Sequence, residues 1–302
     1  MPCKAERVLI PIDRVDVGRT LGPLGLGRGD PTMRFDASGV WRASRTPDGP
    51  GTIHVRGVAG GVDAEAWGPG AAWLLSRAAG MVGALDEPSG FDPSHHPLIA
   101  RLARSSAGLR IPRTERVLER LVPTILSQKV TGLEAKRGWA GLVRLAGERA
   151  PGPVSLLLPP APAWLAALPT YAFHRIGVER RRADTIRRAA SHAFRLEEAV
   201  ALGADVLERR LTSISGIGPW TRAEVRLVVL GDADAVSVGD YHVPHMVCWA
   251  LAGEPRGDDA RMLELLSPFA PHRGRVIRLL ELAGVTAPRY GPRQPVRSIA
   301  AL

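Results

Sequence analysis

Asp240 stands at the end of a short loop of small and β-branched residues. A carboxylate delivered in that way can stabilise positive charge developing on a substrate and can orient or deprotonate water. Upstream lie Gly216 and Gly218, flanking Ile217, with Pro219 next. Glycine permits a turn too tight for a Cβ and leaves its backbone N–H bare, so the pair offers a grip for a phosphate. The spacing therefore joins an acid for chemistry to a candidate backbone clamp for nucleic acid. Each feature also has a plainer use, because glycine turns join packed helices in many proteins and aspartate is a good helix N-cap.

These groups need elements to hold them. Pro219 suits the first turn of a helix, where its missing N–H would be unbonded anyway, and Trp220, Ala223, Leu227 and Leu230 recur at helical spacing. Beyond Asp240 the pattern resumes with Tyr241, Val243, Met246, Val247 and Ala250. From residue 97 on, the chain reads as nearly all helix: 98–107, 114–128 with Thr114 as N-cap, 131–147, 178–194, 207–214, 259–266 and 273–283. In 178–194, Arg180, Arg181, Arg182, Arg187 and Arg188 alternate with Ala183, Ile186 and Ala190, a face either solvated or turned to phosphates. Residues before 92 differ. Segments 7–12, 33–42 and 52–58 read as strands, and 64–85 as a helix whose beginning is interrupted by Gly68, Pro69 and Gly70. An antiparallel sheet covered by one or two helices follows. The loop 87–97 marks a boundary, and its His95 and His96, with no cysteine or carboxylate cluster beside them, read as solvated.

Composition narrows the class. The 302 residues suffice for two or three packed units. Lys and Arg number 40 against 30 Asp and Glu, and a net charge of +10 suits a polyanionic partner. Lys4, Lys129 and Lys136 are the only lysines, so the excess is almost all arginine, and with abundant Ala, Gly and Pro part of it is the background of a GC-rich coding bias. Cys3 and Cys248 are two cysteines far apart, which supports neither a disulfide framework, a zinc site nor a four-cysteine iron–sulfur cluster. No apolar run approaches a membrane span and no secretory pattern opens the chain, so a cytoplasmic protein is expected.

The segment Leu211 to Thr221, LTSISGIGPWT, followed after an apolar helix by VSVGDY, 236–241, resembles the helix-hairpin-helix (HhH-GPD) DNA glycosylase superfamily, nearest its 3-methyladenine DNA glycosylase II branch, the AlkA type. The upstream ILSQKVT segment, 125–131, adds to the likeness, which runs over 33–282. The resemblance implies an α+β fold, a mostly α-helical glycosylase core behind an N-terminal antiparallel sheet-and-helix domain. It places that domain at 1–92 and the helical region at 93–286, with a central bundle at about 113–232 and the other wall of a cleft from 93–112 and 233–286; a loosely ordered tail, 287–302, ends the chain.

In such a protein a damaged base is swung out of a duplex, and the N-glycosidic bond breaks through a transition state with positive charge on the sugar. The resemblance makes Asp240 the catalytic carboxylate. It assigns DNA contacts to Gly216, Gly218, Thr221, Gln128 and Lys129, and a monovalent cation, Na+ or K+, to the backbone carbonyls of Thr212, Ile214 and Ile217; no cofactor is required. Bifunctional relatives attack with a lysine two residues after the second hairpin glycine. Trp220 occupies that place and no lysine follows Lys136, so a monofunctional enzyme leaving an abasic site is expected, acting as a monomer on double-stranded DNA with a damaged, alkylated base. The base pocket departs from the pattern: Trp220 and Tyr241 stand at two aromatic positions, whereas Glu224 and Glu281 replace a Tyr and a Trp. Lys129 falls where a leucine usually fills the gap in the duplex, a poorer apolar plug. A noncatalytic DNA-binding or damage-sensing protein is the alternative these departures favour, and a helical protein-interaction module is a third.

Overall fold

The computed structural model describes residues 5–288, so most of the expected tail lies outside the described residues. Strands β1 (Glu6–Pro11), β2 (Met33–Asp36), β3 (Gly39–Thr46), β4 (Gly49–Val58) and β5 (Gly61–Trp67) form one antiparallel sheet in the order β1-β5-β4-β3-β2, with helix α1 (Val17–Leu21) between β1 and β2. Helix α2 (Ala71–Met81) covers one face, its Ala71, Leu74, Ala78 and Met81 packing into a core with Ile53, Val55, Val62 and Ala64. Trp41, Ala43 and Trp67 cover the other face together with Leu156 and Leu158.

Two expectations need correction here. Residues 64–67 are strand, not helix: Ala64 pairs with Val55 and Ala66 with Ile53. Val62, Ala64 and Ala66 alternate inward at strand spacing, and the helix starts only after the Gly68-Pro69-Gly70 break. Segment 33–42 is likewise not one strand but a hairpin, in which Asp36 turns the chain by accepting from the Ser38 N–H at 2.8 Å.

The helices follow in order: α3 (Pro97–Ser105), α4 (Val117–Leu126), α5 (Gly132–Ala146), α6 (Pro162–Ala167), α7 (Thr170–Arg175), α8 (Arg180–Ser191), α9 (Ala193–Leu202), α10 (Ala204–Thr212), α11 (Pro219–Val229), α12 (Val243–Ala252), α13 (Asp259–Leu266) and α14 (Arg273–Leu282). α4 runs through the largest core, with Val117, Leu121, Ile125 and Leu126 packed among residues of α5 and α8–α11. At about 1.5–3 kcal/mol for each large apolar side chain removed from water, such a helix is held by its surroundings rather than by propensity.

α4 begins at Val117 and not at Thr114. The Thr114 and Glu115 N–H groups donate to the carbonyls of Val228 and Val229, at 3.0 and 3.1 Å, closing the end of α11. Glu115 has a φ of 54°, a left-handed conformation that stops a helix from running through it. The N-terminus of α4 is capped instead by the Glu197 carboxylate of α9, which accepts from the Val117 and Leu118 N–H groups at 3.0 Å each. Burial raises the pKa of Glu197, against the opposing pull of Arg116 and those two N–H groups. On the sheet side, Glu119 of α4 accepts from Arg42, Ser44 and the Arg45 N–H, at 2.6 to 2.8 Å, locking the sheet onto the helices.

A second helical core joins α3, α12, α13 and α14 through Ile99, Val247, Met262, Leu266, Val276 and Leu280. The Arg275–Asp86 pair, 2.5 Å apart with side chains only 4% and 2% exposed, ties α14 to the segment after α2; removing one partner would cost about 3–5 kcal/mol. The loop between α11 and α12 crosses from the first core to the second, and it carries Asp240.

Candidate active site and hairpin interface

The hairpin is built from inside out. Ile214 and Ile217 are 4% and 5% exposed and pin the turn to the core, while Ser215 and Gly216 between them face solvent. The Ile217 N–H closes the turn on the Ile214 carbonyl at 3.1 Å. Gly216 must be glycine twice over: its φ is +96°, and a Cβ there would collide with the Thr185 hydroxyl of α8. Gly218 is different. Its backbone is extended, at φ −88° and ψ 179°, and a Cβ would meet no atom within 4 Å. Nothing inside the protein asks for glycine there, so the space it leaves open faces outward.

Two residues expected to touch DNA are used internally. Thr221 is 1% exposed, and its hydroxyl accepts from Nε2 of Gln128 at 2.9 Å. The same Nε2 donates to the Gly216 carbonyl at 3.0 Å. Gln128 therefore fastens the hairpin to the end of α4, because a turn with a left-handed glycine needs its outward carbonyl satisfied. Lys129 follows in a left-handed conformation, φ 54°, and is exposed.

The arginines of α8 divide by task. Arg182 is buried and donates to the Leu126 carbonyl at 2.8 Å, and Arg187 donates to the Ala166 carbonyl at 3.3 Å. Arg180, Arg181 and Arg188 are exposed and, with Ser215 and Gly216 of the hairpin, line an open groove of about 500 Å³ in which Asp184 is the one acid. Arg188 spans it by donating to the Ser215 carbonyl at 3.1 and 3.3 Å.

The cation implied by the resemblance would sit on backbone carbonyls that already serve the turn. The Ile214 carbonyl already takes the Ile217 N–H, and the Ile217 carbonyl takes Nη1 of Arg222 at 3.3 Å. The Arg222 charge is itself met by Glu208 at 2.5 Å and each carbonyl oxygen keeps a second lone pair, so Thr212, Ile214 and Ile217 are the groups that would hold a monovalent cation; no step is routed through one.

Asp240 sits on the N-terminus of α12. Its Oδ1 accepts from the His242 and Val243 N–H groups at 2.6 and 2.9 Å, while Oδ2 has no hydrogen-bond partner among the described residues. The N–H groups at the start of the helix hold the carboxylate oriented. On the other side of the loop, Gly239 N–H donates to Asp259 at 3.0 Å, and Asp240 N–H to the Ser237 carbonyl at 3.1 Å.

Around it stand the residues expected to form the base pocket. Glu224 has both oxygens engaged, Oε2 with Arg120 at 2.5 Å and Oε1 with the Ser237 hydroxyl at 2.6 Å, so it is not free to read a base. Glu281 pairs with Arg278 and keeps 38% of its side chain exposed. Its pKa is raised, by burial first and then by the charges of Glu224 and Asp240, with Arg278 opposing, which places three carboxyls in one electrostatic neighbourhood. Trp220 is half-buried in the first turn of α11. Tyr241 is 78% exposed, its ring edge-on to His242 and His245, and no ring contact among the described residues joins it to Trp220. Sequence reasoning passed over Arg120 and Ser237, since periodicity carries no signal for a pair 104 residues apart. His95 lies edge-on to Phe269 and 3.8 Å from Asp92, and no group of three or more potential metal ligands occurs among the described residues.

No family model matches the chain, and no curated protein matches it. Solved structures do. The chain is similar to a 3-methyladenine DNA glycosylase from Archaeoglobus fulgidus, at 16% identity over 91% of this chain and 97% of that one, with a TM-score of 0.78. It is also similar to the 8-oxoguanine glycosylase/lyase of Clostridium acetobutylicum in its apo form, at 13% identity over 93% and 99% of the two chains and a TM-score of 0.69. The same enzyme in complex with double-stranded DNA containing cytosine opposite 8-oxoguanine gives 14% identity, 93% and 97% coverage and a TM-score of 0.67. At these identities the likeness is one of architecture. The chain has the α+β fold of the helix-hairpin-helix DNA glycosylases, sheet and helical cores included.

Proposed function

We propose that this protein is a DNA glycosylase of base excision repair, which holds a duplex on its hairpin and hydrolyses the N-glycosidic bond of a damaged base. The observation that carries the reading is Asp240: one oxygen is fixed by two helix N–H groups and the other is left without a partner, in a loop that follows the hairpin helix. As the bond between C1′ and the base nitrogen breaks, its electron pair leaves with the base. The unpaired oxygen of Asp240 then faces the positive charge left on the sugar and stabilises it. Water adds to C1′ and its second proton passes by way of Asp240 and solvent to the departing base, leaving an abasic site. Water and a carboxylate suffice for this chemistry, and Trp220 at the place of a lyase lysine makes it monofunctional. The substrate class is an alkylated base, whose positive charge Glu281 would attract. The protein works as a monomer on double-stranded DNA; no helix among the described residues is long and apolar enough to cross a membrane.

Two observations favour a second reading. Glu224 is consumed internally and Tyr241 is open to solvent, which leaves few groups to grip a flipped base and suits a noncatalytic damage-binding protein. Duplexes carrying alkylated, deaminated or oxidised bases, scored for alkali-labile breaks, separate the two. Breaks made by the wild type and lost in Asp240→Asn support the enzyme; tight binding without breaks on every duplex supports the binder.

A further inference from the structure

Glu224 stands where the fold's relatives are expected to place an aromatic base-stacking residue, yet its carboxylate points to a buried serine and an arginine. The Ser237 hydroxyl, on a residue 5% exposed, donates to Oε1 at 2.6 Å, and the Ser237 carbonyl accepts the Asp240 N–H at 3.1 Å. Arg120 braces the other side: Nη2 reaches Oε2 at 2.5 Å, Nε reaches the Glu224 carbonyl at 3.2 Å, and Nη1 reaches the Pro23 carbonyl at 2.9 Å. Four segments of the chain thus meet around the Arg120–Glu224 pair: the turn after α1, α4, α11 and the loop that carries Asp240.

α11 begins at the hairpin and Glu224 lies on it, so the chain of contacts Arg120, Glu224, Ser237, Asp240 fixes the distance from the phosphate grip to the reacting carboxylate. We propose that Glu224 is a positioning residue: through Ser237 it holds the Asp240 loop in register with the hairpin, and it takes no part in reading the base. The inference rests on the reading of Asp240 as the catalytic carboxylate. The Arg120 charge matches that of Glu224, and the pair is largely buried, with side chains 15% and 21% exposed. Glu224 therefore adds little net charge at the sugar and acts by geometry. A misplacement of about 1 Å can reduce a rate on the order of a hundredfold, so one serine hydroxyl has room to matter.

The test does not depend on knowing the damaged base. It compares the affinities of the full-length protein for two duplexes, one with a pyrrolidine abasic analogue that carries a positive charge at the sugar, the other with its neutral tetrahydrofuran counterpart. Transition-state mimics bind tighter by about a hundredfold or more, and the part of that preference removed by Asp240→Asn reads the Asp240 carboxylate. The wild type should prefer the cation, and Asp240→Asn should lose the preference. Ser237→Ala should reduce the preference about tenfold with affinity for the neutral duplex unchanged, and adding it to Asp240→Asn should change nothing further. Glu224→Gln, which retains an oxygen to accept the Ser237 hydroxyl, should keep more of the preference than Glu224→Ala; this pair serves if Ser237→Ala does not fold. A cation preference untouched by Ser237→Ala, or a double variant worse than Asp240→Asn alone, overturns the inference and leaves the glycosylase reading standing. A wild type indifferent to the charge overturns both.

Discussion

The side-chain amide of Gln128 donates to the Gly216 carbonyl at 3.0 Å, so the residue just past α4 holds the outward corner of the hairpin. Its second bond, to the buried Thr221 hydroxyl, locks the same turn to α11. Gln128→Ala is expected to lower the unfolding free energy by about 1–2 kcal/mol, read as a shift of the denaturant midpoint, and to weaken binding of damaged and intact duplexes alike. A residue that only probed the duplex would leave the midpoint where it was.

The two hairpin glycines should separate. Gly216→Ala forces a left-handed alanine against the Thr185 hydroxyl and should cost about 2 kcal/mol or more in thermal or chemical unfolding. Gly218→Asp meets open space and an ordinary extended backbone, so the unfolding transition should not move while duplex affinity falls about tenfold through the added negative charge. Equal losses of stability in both variants would contradict the outward-facing role of Gly218.

The groove between α8 and the hairpin predicts a salt signature. Replacing Arg180, Arg181 and Arg188 together by glutamine should reduce the slope of log affinity against log salt by about 2 to 3, by the same amount for damaged and undamaged duplexes. An unchanged slope would return that face to the solvent.

Much of the hairpin and its flanking helices was legible because their signals are local. Pro219 opens α11, α5 fills most of the expected span 131–147, and α13 occupies the span its apolar spacing marks. Where partners came from afar the pattern misled. Ala64 and Ala66 fit a helix as well as a strand until β4 pairs with them, and Thr114 resembles an N-cap until the end of α11 claims its N–H. The resemblance places Glu224 in the base pocket, and only Arg120 and Ser237 reveal its engagement. Lys129 and Glu115 adopt left-handed conformations that nothing in their residue type announces.

Glu281 gives a pH dependence with a defined sign. Burial, joined by the charges of Glu224 and Asp240 and opposed by Arg278, raises its pKa, so the folded protein holds this proton more tightly than the unfolded chain. The contribution to stability is complete below the ordinary glutamate pKa and is lost as pH rises through the raised value. Across that window the melting temperature of the wild type should fall relative to Glu281→Gln, and a relative rise would contradict the placement of Glu281 near two other carboxyls.

The central claim is that the Asp240 carboxylate, fixed on α12 with one oxygen free, meets the charge formed on the sugar. Single-turnover base release from the duplex that the wild type cleaves best tests it most directly, with binding to the same duplex measured alongside. Asp240→Asn keeps the shape and an oxygen for the α12 N–H groups, and it should slow release by about a hundredfold or more with affinity nearly unchanged. Release by Asp240→Asn at the wild-type rate would contradict the account.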